Sequence, residues 1–139
     1  MSTAKVNTLT GTTTAGSISV TGEGNSTTTN LQQGLAKVWV HFGTVSSTAV
    51  RDSFNVTGLT DEGTGKTTVT IANDMSNNDY SATMYTSANT GTGAEGEFGN
   101  NFAGGLTVRA TGSLMHESYA TSATTDSALC DVTIHGDLA

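Results

Sequence analysis

The sequence predicts an all-β fold, an antiparallel β-sandwich of jelly-roll type with an extended N-terminal β segment. Three observations carry this prediction: the composition, the alternation of apolar and polar residues, and the spacing of turn residues. Thr, Ser, Asn and Gly supply 28, 14, 10 and 17 of the 139 residues. These residues are poor helix formers, whereas Thr suits a pleated strand and Gly and Asn suit turns. Seven or so apolar runs, separated by turns about 8–12 residues apart, are typical of a sandwich or barrel.

The first 33 residues differ from the rest of the chain. They contain two brief alternating patches, residues 5–9 and 17–20, separated by Thr and Gly. Because these patches hold too few apolar residues for a core, the segment stays flexible, lies along the main domain, or pairs with copies of itself. We therefore divide the chain into an attachment or oligomerisation segment, residues 1–33, and a sandwich domain, residues 34–139.

The first strand of the sandwich domain is predicted over residues 35–42. Ala36, Val38, Val40 and Phe42 share one face, and the opposite face also carries bulk. That opposite face includes Lys37, Trp39 and His41, which form a candidate subunit interface. For Trp39, we favour a place in the domain core over a place at that interface.

Further strands follow with clear turn signals. A strand over residues 50–59, the Asp- and Gly-rich loop at 61–65 and a return strand over 66–72 form a hairpin with Val69 and Ile71 facing inward. Residues 77–79 make another turn, after which Tyr80, Ala82 and Met84 alternate.

The segment 86–105 is rich in Gly and shows no periodicity, and a connection of this length is usually functional or mobile. Aromatic and amide side chains in and beside it are of the kind that bind sugars or protein surfaces, although simple loop filling explains them equally well. The candidate receptor-contact residues are Tyr85, Phe98, Asn100, Asn101 and Phe102.

The last strands are predicted over residues 106–110, 114–119 and 128–135, with a turn at 111–112. In the final strand Ala128, Cys130, Val132 and Ile134 share a face, which predicts a buried, unreactive thiol. The chain contains no Pro, a residue that often prevents an edge strand from pairing with another chain. We therefore expect the edge strands to be covered by self-association.

The charge and hydropathy of the chain argue against nucleic-acid and membrane partners. A net charge of −7 with five Lys and Arg argues against a nucleic-acid partner. No run approaches the ~18 apolar residues of a membrane span, and the first residues lack the apolar core of a secretory leader, so we expect synthesis in the cytoplasm and no membrane partner.

No catalytic or cofactor motif emerges. His41, His116 and His135 lack metal-ligand spacing, although His41 and His135 would meet if the first and last core strands pair, and a shared ion on a trimer axis remains open. The letters of residues 91–96 match a dinucleotide fingerprint without its flanking strand and helix. Carboxylate pairs occur only in turn or loop segments. We therefore expect no enzyme activity and no cofactor.

Several segments resemble one family of proteins. Residues 34–42, GLAKVWVHF, resemble the GLAKAWVNFNGTG opening of a β-rich module in tail-fibre-like and other virion structural proteins of marine tailed bacteriophages. Residues 49–71 are similar to its AIRDSFNVSSITDNGTGDYTVNF block, residues 130–137 to its closing CVAVFGD strand, and residues 1–9 to the MSTLKVNTIQ start that often precedes it. Residues 75–80 resemble its AMPDANY turn without the proline, while residues 86–126 show no match.

The resemblance implies a non-enzymatic virion component, usually an elongated homotrimer with a compact sandwich as its head. Combined with the composition, it predicts a homotrimeric short tail fibre or spike, or a head decoration protein, made in the host cytoplasm and located in the virion. The expected partners are copies of the chain and other tail or capsid proteins. The alternative is a lectin-like module that binds a host surface glycan or protein, and an enzyme such as a depolymerase would require a carboxylate cleft.

Overall fold

The structure is a computed structural model that describes residues 3–14, 16–22, 24–87, 97–98, 109–120 and 123–139. The chain divides into two compact units, Met1–Leu35 and Ala36–Ala139.

The first unit contains a short hairpin followed by one helical turn. Strand β1 (Ser19–Thr21) pairs antiparallel with β2 (Thr28–Asn30), and α1 (Leu31–Gly34) follows directly. The side chain of Asn30 caps this turn by accepting hydrogen bonds from the backbone N–H groups of Gln32 and Gln33 at 2.9 and 3.2 Å. The second alternating patch of the sequence therefore pairs with residues just downstream in the same chain.

The second unit contains ten strands among the described residues. They are β3 (Val38–Gly43), β4 (Ala49–Phe54), β5 (Val56–Gly63), β6 (Lys66–Ile71), β7 (Ser81–Thr86), β8 (Glu97–Phe98), β9 (Arg109–Ala110), β10 (Ser113–Ala120), β11 (Ala123–Thr124) and β12 (Cys130–His135). All the pairings between described strands are antiparallel. The prediction of an all-β, antiparallel fold is confirmed.

The strands form two sheets around one apolar core. One sheet has the order β4-β3-β12-β7, and the other has the order β11-β10-β6-β5, with β8 and β9 also pairing with β10. Alternate residues of the central strands are buried, and both sheets contribute to one cluster. Its strand members are Val38, Val40, Phe42, Val69, Ile71, Leu114, Cys130, Val132 and Ile134.

The inward-facing residues predicted for β3, β6 and β12 are confirmed, but the single strand predicted over residues 50–59 is wrong. The chain forms two strands there, one in each sheet, and Asn55 lies between them with a φ of 58°. This left-handed conformation turns the backbone out of the first ladder, and Asn tolerates it better than most residues.

The predicted hairpin at residues 61–65 is confirmed, although its turn is tighter than the sequence suggested. β5 continues through Gly63, which pairs with Lys66, so only Thr64 and Gly65 remain in the turn. Gly65 has a φ of 67°, and a Cβ atom there would lie 2.6 Å from the backbone of Thr125. This position therefore requires glycine for both conformation and space.

Within the described residues, no helix is both long enough and apolar enough to span a membrane.

Candidate recognition face

The outer surface of the sheet β4-β3-β12-β7 carries two rows of side chains in register across all four strands. Both rows alternate with the buried core residues, so they lie on the face of the sheet that points away from the core. The first row is Phe54, Trp39, Thr133 and Thr83, and the second is Asp52, His41, Asp131 and Tyr85. We call these eight residues the recognition face.

The recognition face exposes large aromatic surface. Phe54 and Tyr85 are 52 % and 54 % exposed, and Trp39, directly opposite Phe54 on the neighbouring strand, is half-buried. Aromatic residues of this kind supply contact area at protein interfaces and in ligand sites. The face therefore combines apolar rings with neighbouring hydrogen-bonding groups.

The polar centre of the recognition face is a chain of contacts through His41. Its Nδ1 lies 2.6 Å from Oδ1 of Asp131, and its Nε2 lies 3.3 Å from Nη1 of Arg51. A neutral imidazole meets both contacts when Nδ1 carries the proton and donates to the carboxylate, since Nε2 then accepts from the guanidinium. Arg51 also donates through Nη2 to the carbonyl oxygen of Ala128 at 2.7 Å.

A small cavity adjoins this contact chain at the end of β3. Its volume is about 210 Å³, and Arg51 supplies the charged group in its wall. The remaining lining residues are Gly43, Val45, Ser47, Ala49 and Ala128. The cavity therefore presents one guanidinium and one hydroxyl among small apolar groups.

The structure brings together residues that the sequence assigned to two different sites. Trp39 and His41, predicted at a subunit interface, share the recognition face with Tyr85, predicted to contact a receptor. Lys37 is only 7 % exposed, so it does not join them on the surface.

The remaining candidates for receptor contact lie elsewhere in the chain. The backbone of Phe98 forms β8 with Glu97 and pairs with β10 in the other sheet. Asn100, Asn101 and Phe102 lie outside the described residues. The assignment of these residues to receptor contact, like the assignment of an interface, stays a prediction.

His41 and His135 do not meet, although the first and last core strands do pair. The antiparallel register places Asp131 opposite His41, and His135 lies four residues further along β12, which is about 13 Å away. No local pattern in the sequence marks Arg51, Asp131 or Phe54 as site residues, because their proximity depends on strand register and on the bulge between His41 and Phe42.

A second polar group lies inside the core, between the two sheets. His116 is fully buried, with its Nε2 2.9 Å from Oγ1 of Thr86 and its ring in edge contact with Phe42 at 5.1 Å. Burial lowers the pKa of His116 to about 4 and raises the pKa of Cys130, the buried thiol that the sequence predicted. Both side chains are enclosed and uncharged at neutral pH.

No group of three or more His, Cys, Asp or Glu in the described part of the chain is arranged to hold a metal ion. In comparisons with known proteins, the chain matches no protein family, no curated protein and no solved structure.

Proposed function

We propose that the chain is a bacteriophage virion structural protein, a short tail fibre or spike or a head decoration protein, that acts as a homotrimer without enzymatic activity. The observation that carries the proposal is the recognition face, where Trp39, Phe54 and Tyr85 leave apolar surface open to a partner. The resemblance of residues 34–42 and 49–71 to phage virion modules supplies the biological setting.

The strand edges add to this argument. β4 is an edge strand of its sheet, and Val50 and Phe54 on it are exposed. An edge strand presents unpaired N–H and C=O groups, and a neighbouring copy can cover both the edge and the adjoining apolar face. Three copies related by a threefold axis would bury both features in a closed assembly, and other virion proteins would bind the remaining surface.

Native mass spectrometry of the full chain tests this proposal. We expect a species near three times 14.1 kDa, and dissociation to monomer in the double variant Trp39→Ala/Phe54→Ala. Thr83→Ala is the matched control, because Thr83 lies in the same row on β7 and its truncation removes little apolar area. Circular dichroism establishes that each variant is folded.

Two results would count against the proposal. One is a strictly monomeric chain at micromolar concentration, and the other is a trimer that the double variant leaves intact. Mass spectrometry of purified phage particles tests the virion location separately, because the chain must then be present in a stoichiometric amount.

A second candidate function is binding of a host surface glycan. The observation that favours it is the cavity beside Arg51, which combines a guanidinium and the Ser47 hydroxyl with small apolar walls. Pockets that bind small ligands are typically apolar with a few placed polar groups. This cavity lies beyond the row of the recognition face that contains Phe54 and Trp39. A glycan in the cavity and a partner on that row can therefore bind independently.

A further inference from the structure

The guanidinium of Arg51 is held in place by acceptors that carry no charge. It donates to the carbonyl oxygen of Ala128 at 2.7 Å and contacts Nε2 of His41 at 3.3 Å. Among the described residues, no carboxylate lies within ion-pair distance of it: the Asp131 carboxylate contacts the imidazole of His41, and Glu117 pairs with Lys66. The positive charge of Arg51 is therefore oriented but not neutralised.

Gly43 makes room for this arrangement. A Cβ atom at Gly43 would lie 3.1 Å from Nη2 of Arg51 and 2.7 Å from the carbonyl oxygen of Ala128. The guanidinium thus lies over the backbone where another residue would place its side chain. Because the same three residues line the cavity, the charge forms part of its wall.

His41 acts as a positioning residue for Arg51. Asp131 fixes the imidazole from the Nδ1 side at 2.6 Å, which leaves the lone pair of Nε2 directed at the guanidinium. A guanidinium held by two contacts loses less freedom when it binds an anion than a free side chain would. The imidazole ring also separates the carboxylate of Asp131 from the guanidinium.

We propose that the cavity binds the carboxylate of an acidic sugar, with a uronic acid residue as the ligand class. Arg51 would bind the carboxylate, since a guanidinium matches the geometry of that group. Ser47 would bind a sugar hydroxyl, and Val45 and Ala49 would pack against the ring. A volume of about 210 Å³ is smaller than the 300–1,000 Å³ of sites for drug-sized ligands, so it suits a single ring. This inference rests on the second proposed function.

Heteronuclear NMR titration of the full chain with sodium glucuronate tests the proposal, with glucose and sodium acetate as comparison ligands. We expect saturable shifts at Gly43, Ser47 and Ala128 with glucuronate, and affinities for glucose and acetate at least tenfold weaker. Arg51→Gln should weaken glucuronate binding at least tenfold, because it removes the charge-assisted bond. Arg109→Gln, which removes one positive charge from β9 in the other sheet of the same unit, should leave it unchanged.

Arg51→Lys keeps the charge without the planar fork and provides a second variant if Arg51→Gln does not fold. We expect it to lose several-fold in affinity for glucuronate. Equal binding of glucose and glucuronate, equal binding of acetate and glucuronate, or unchanged binding by a folded Arg51 variant would each overturn the proposal.

Native mass spectrometry of the same samples distinguishes failure of the proposed sugar site from failure of the proposed trimeric virion protein. A trimer that does not bind glucuronate would refute only the sugar site. A monomer that binds glucuronate through Arg51 would support the sugar site and refute the trimer.

Discussion

His116 is a histidine buried in the apolar core, with 1 % of its surface exposed. It lies between the sheets with Thr86 and Phe42 and carries no charge at neutral pH, because burial lowers its pKa to about 4. A protonated imidazole at this position would place an unpaired charge in the core, which is costly. No local pattern marks His116 for burial, since both faces of the strand predicted over 114–119 carry apolar and polar residues: Leu114 shares a face with His116, and Met115 with Glu117.

The depressed pKa of His116 predicts a loss of stability in mild acid. The unfolded chain takes up the proton near pH 6.5 and the folded chain only near pH 4, so the free energy of unfolding falls as the pH falls between these values. The difference between these two pKa values corresponds to about 3 kcal/mol of stability. This contribution is fully present above pH 6.5 and is lost below pH 4. Urea unfolding at a series of pH values measures it.

Substitution separates His116 from the other titrating groups. In His116→Gln the slope of the free energy of unfolding against pH, between pH 6.5 and 4, should decrease by up to about 1.4 kcal/mol per pH unit. His135→Gln, on the outer face of β12, is the matched control and should keep the original slope. An unchanged slope in a folded His116→Gln variant would show that another group governs the acid sensitivity.

At the scale of elements, the passage from β4 to β5 depends on one residue. Asn55 has a φ of 58°, and its side chain joins the start of β3 to the segment after β6. Its Nδ2 donates to the carbonyl oxygens of Lys37 and Asn73, both at 3.1 Å, and its Oδ1 accepts from the backbone N–H of Asn73 at 2.7 Å. The side chain therefore fixes the point at which the chain leaves one sheet and enters the other.

Two substitutions at Asn55 separate the backbone conformation from the hydrogen bonds. Asn55→Gly keeps access to positive φ and loses the side-chain bonds, so it should lower the free energy of unfolding by about 2 kcal/mol. Asn55→Ala loses the bonds and adds strain at positive φ, for a total of about 3 kcal/mol. Equilibrium unfolding in urea measures both values.

Ser46, exposed in the loop after β3 with a φ of 68°, provides the control. Ser46→Gly relieves the same strain without removing a buried contact, so it should be neutral or slightly stabilising. Equal stability of Asn55→Gly and Asn55→Ala would mean that the left-handed backbone is not strained there.

These elements show which features of the fold can be predicted from the sequence. Period-2 alternation predicted β3, β6 and β12 with their buried faces, because burial of one face imposes the pattern directly on the chain. Phe54 and Val56 lie two residues apart and so continue one alternating pattern across Asn55, which hid the change of sheet at that residue. Neither the bulge after His41 nor the register that places Asp131 opposite it leaves a local signal, since both follow from pairing with distant strands. The recognition face was therefore predicted only in part, through Trp39, His41 and Tyr85.

At the scale of the molecule, the two compact units differ in what they bury. The buried apolar residues of the described chain extend from Val38 to Ile134, all in the second unit. In the first unit Val6, Leu9 and Val20 are each about half or more exposed. The sequence also separated an N-terminal segment from the sandwich domain, on the ground that the segment lacks the apolar residues for a core.

This distribution predicts that a chain beginning at Ala36 folds without the first unit. Both sheets and their shared core come from residues after Leu35, so the urea midpoint of the shortened chain should lie close to that of the full chain. Native mass spectrometry of the two chains then locates self-association. If the recognition face forms the subunit contacts, the shortened chain remains trimeric, and its double variant Trp39→Ala/Phe54→Ala dissociates to monomer. A folded but monomeric shortened chain would instead assign assembly to the first unit, because its exposed Val6, Leu9 and Val20 would then be the surface that copies bury.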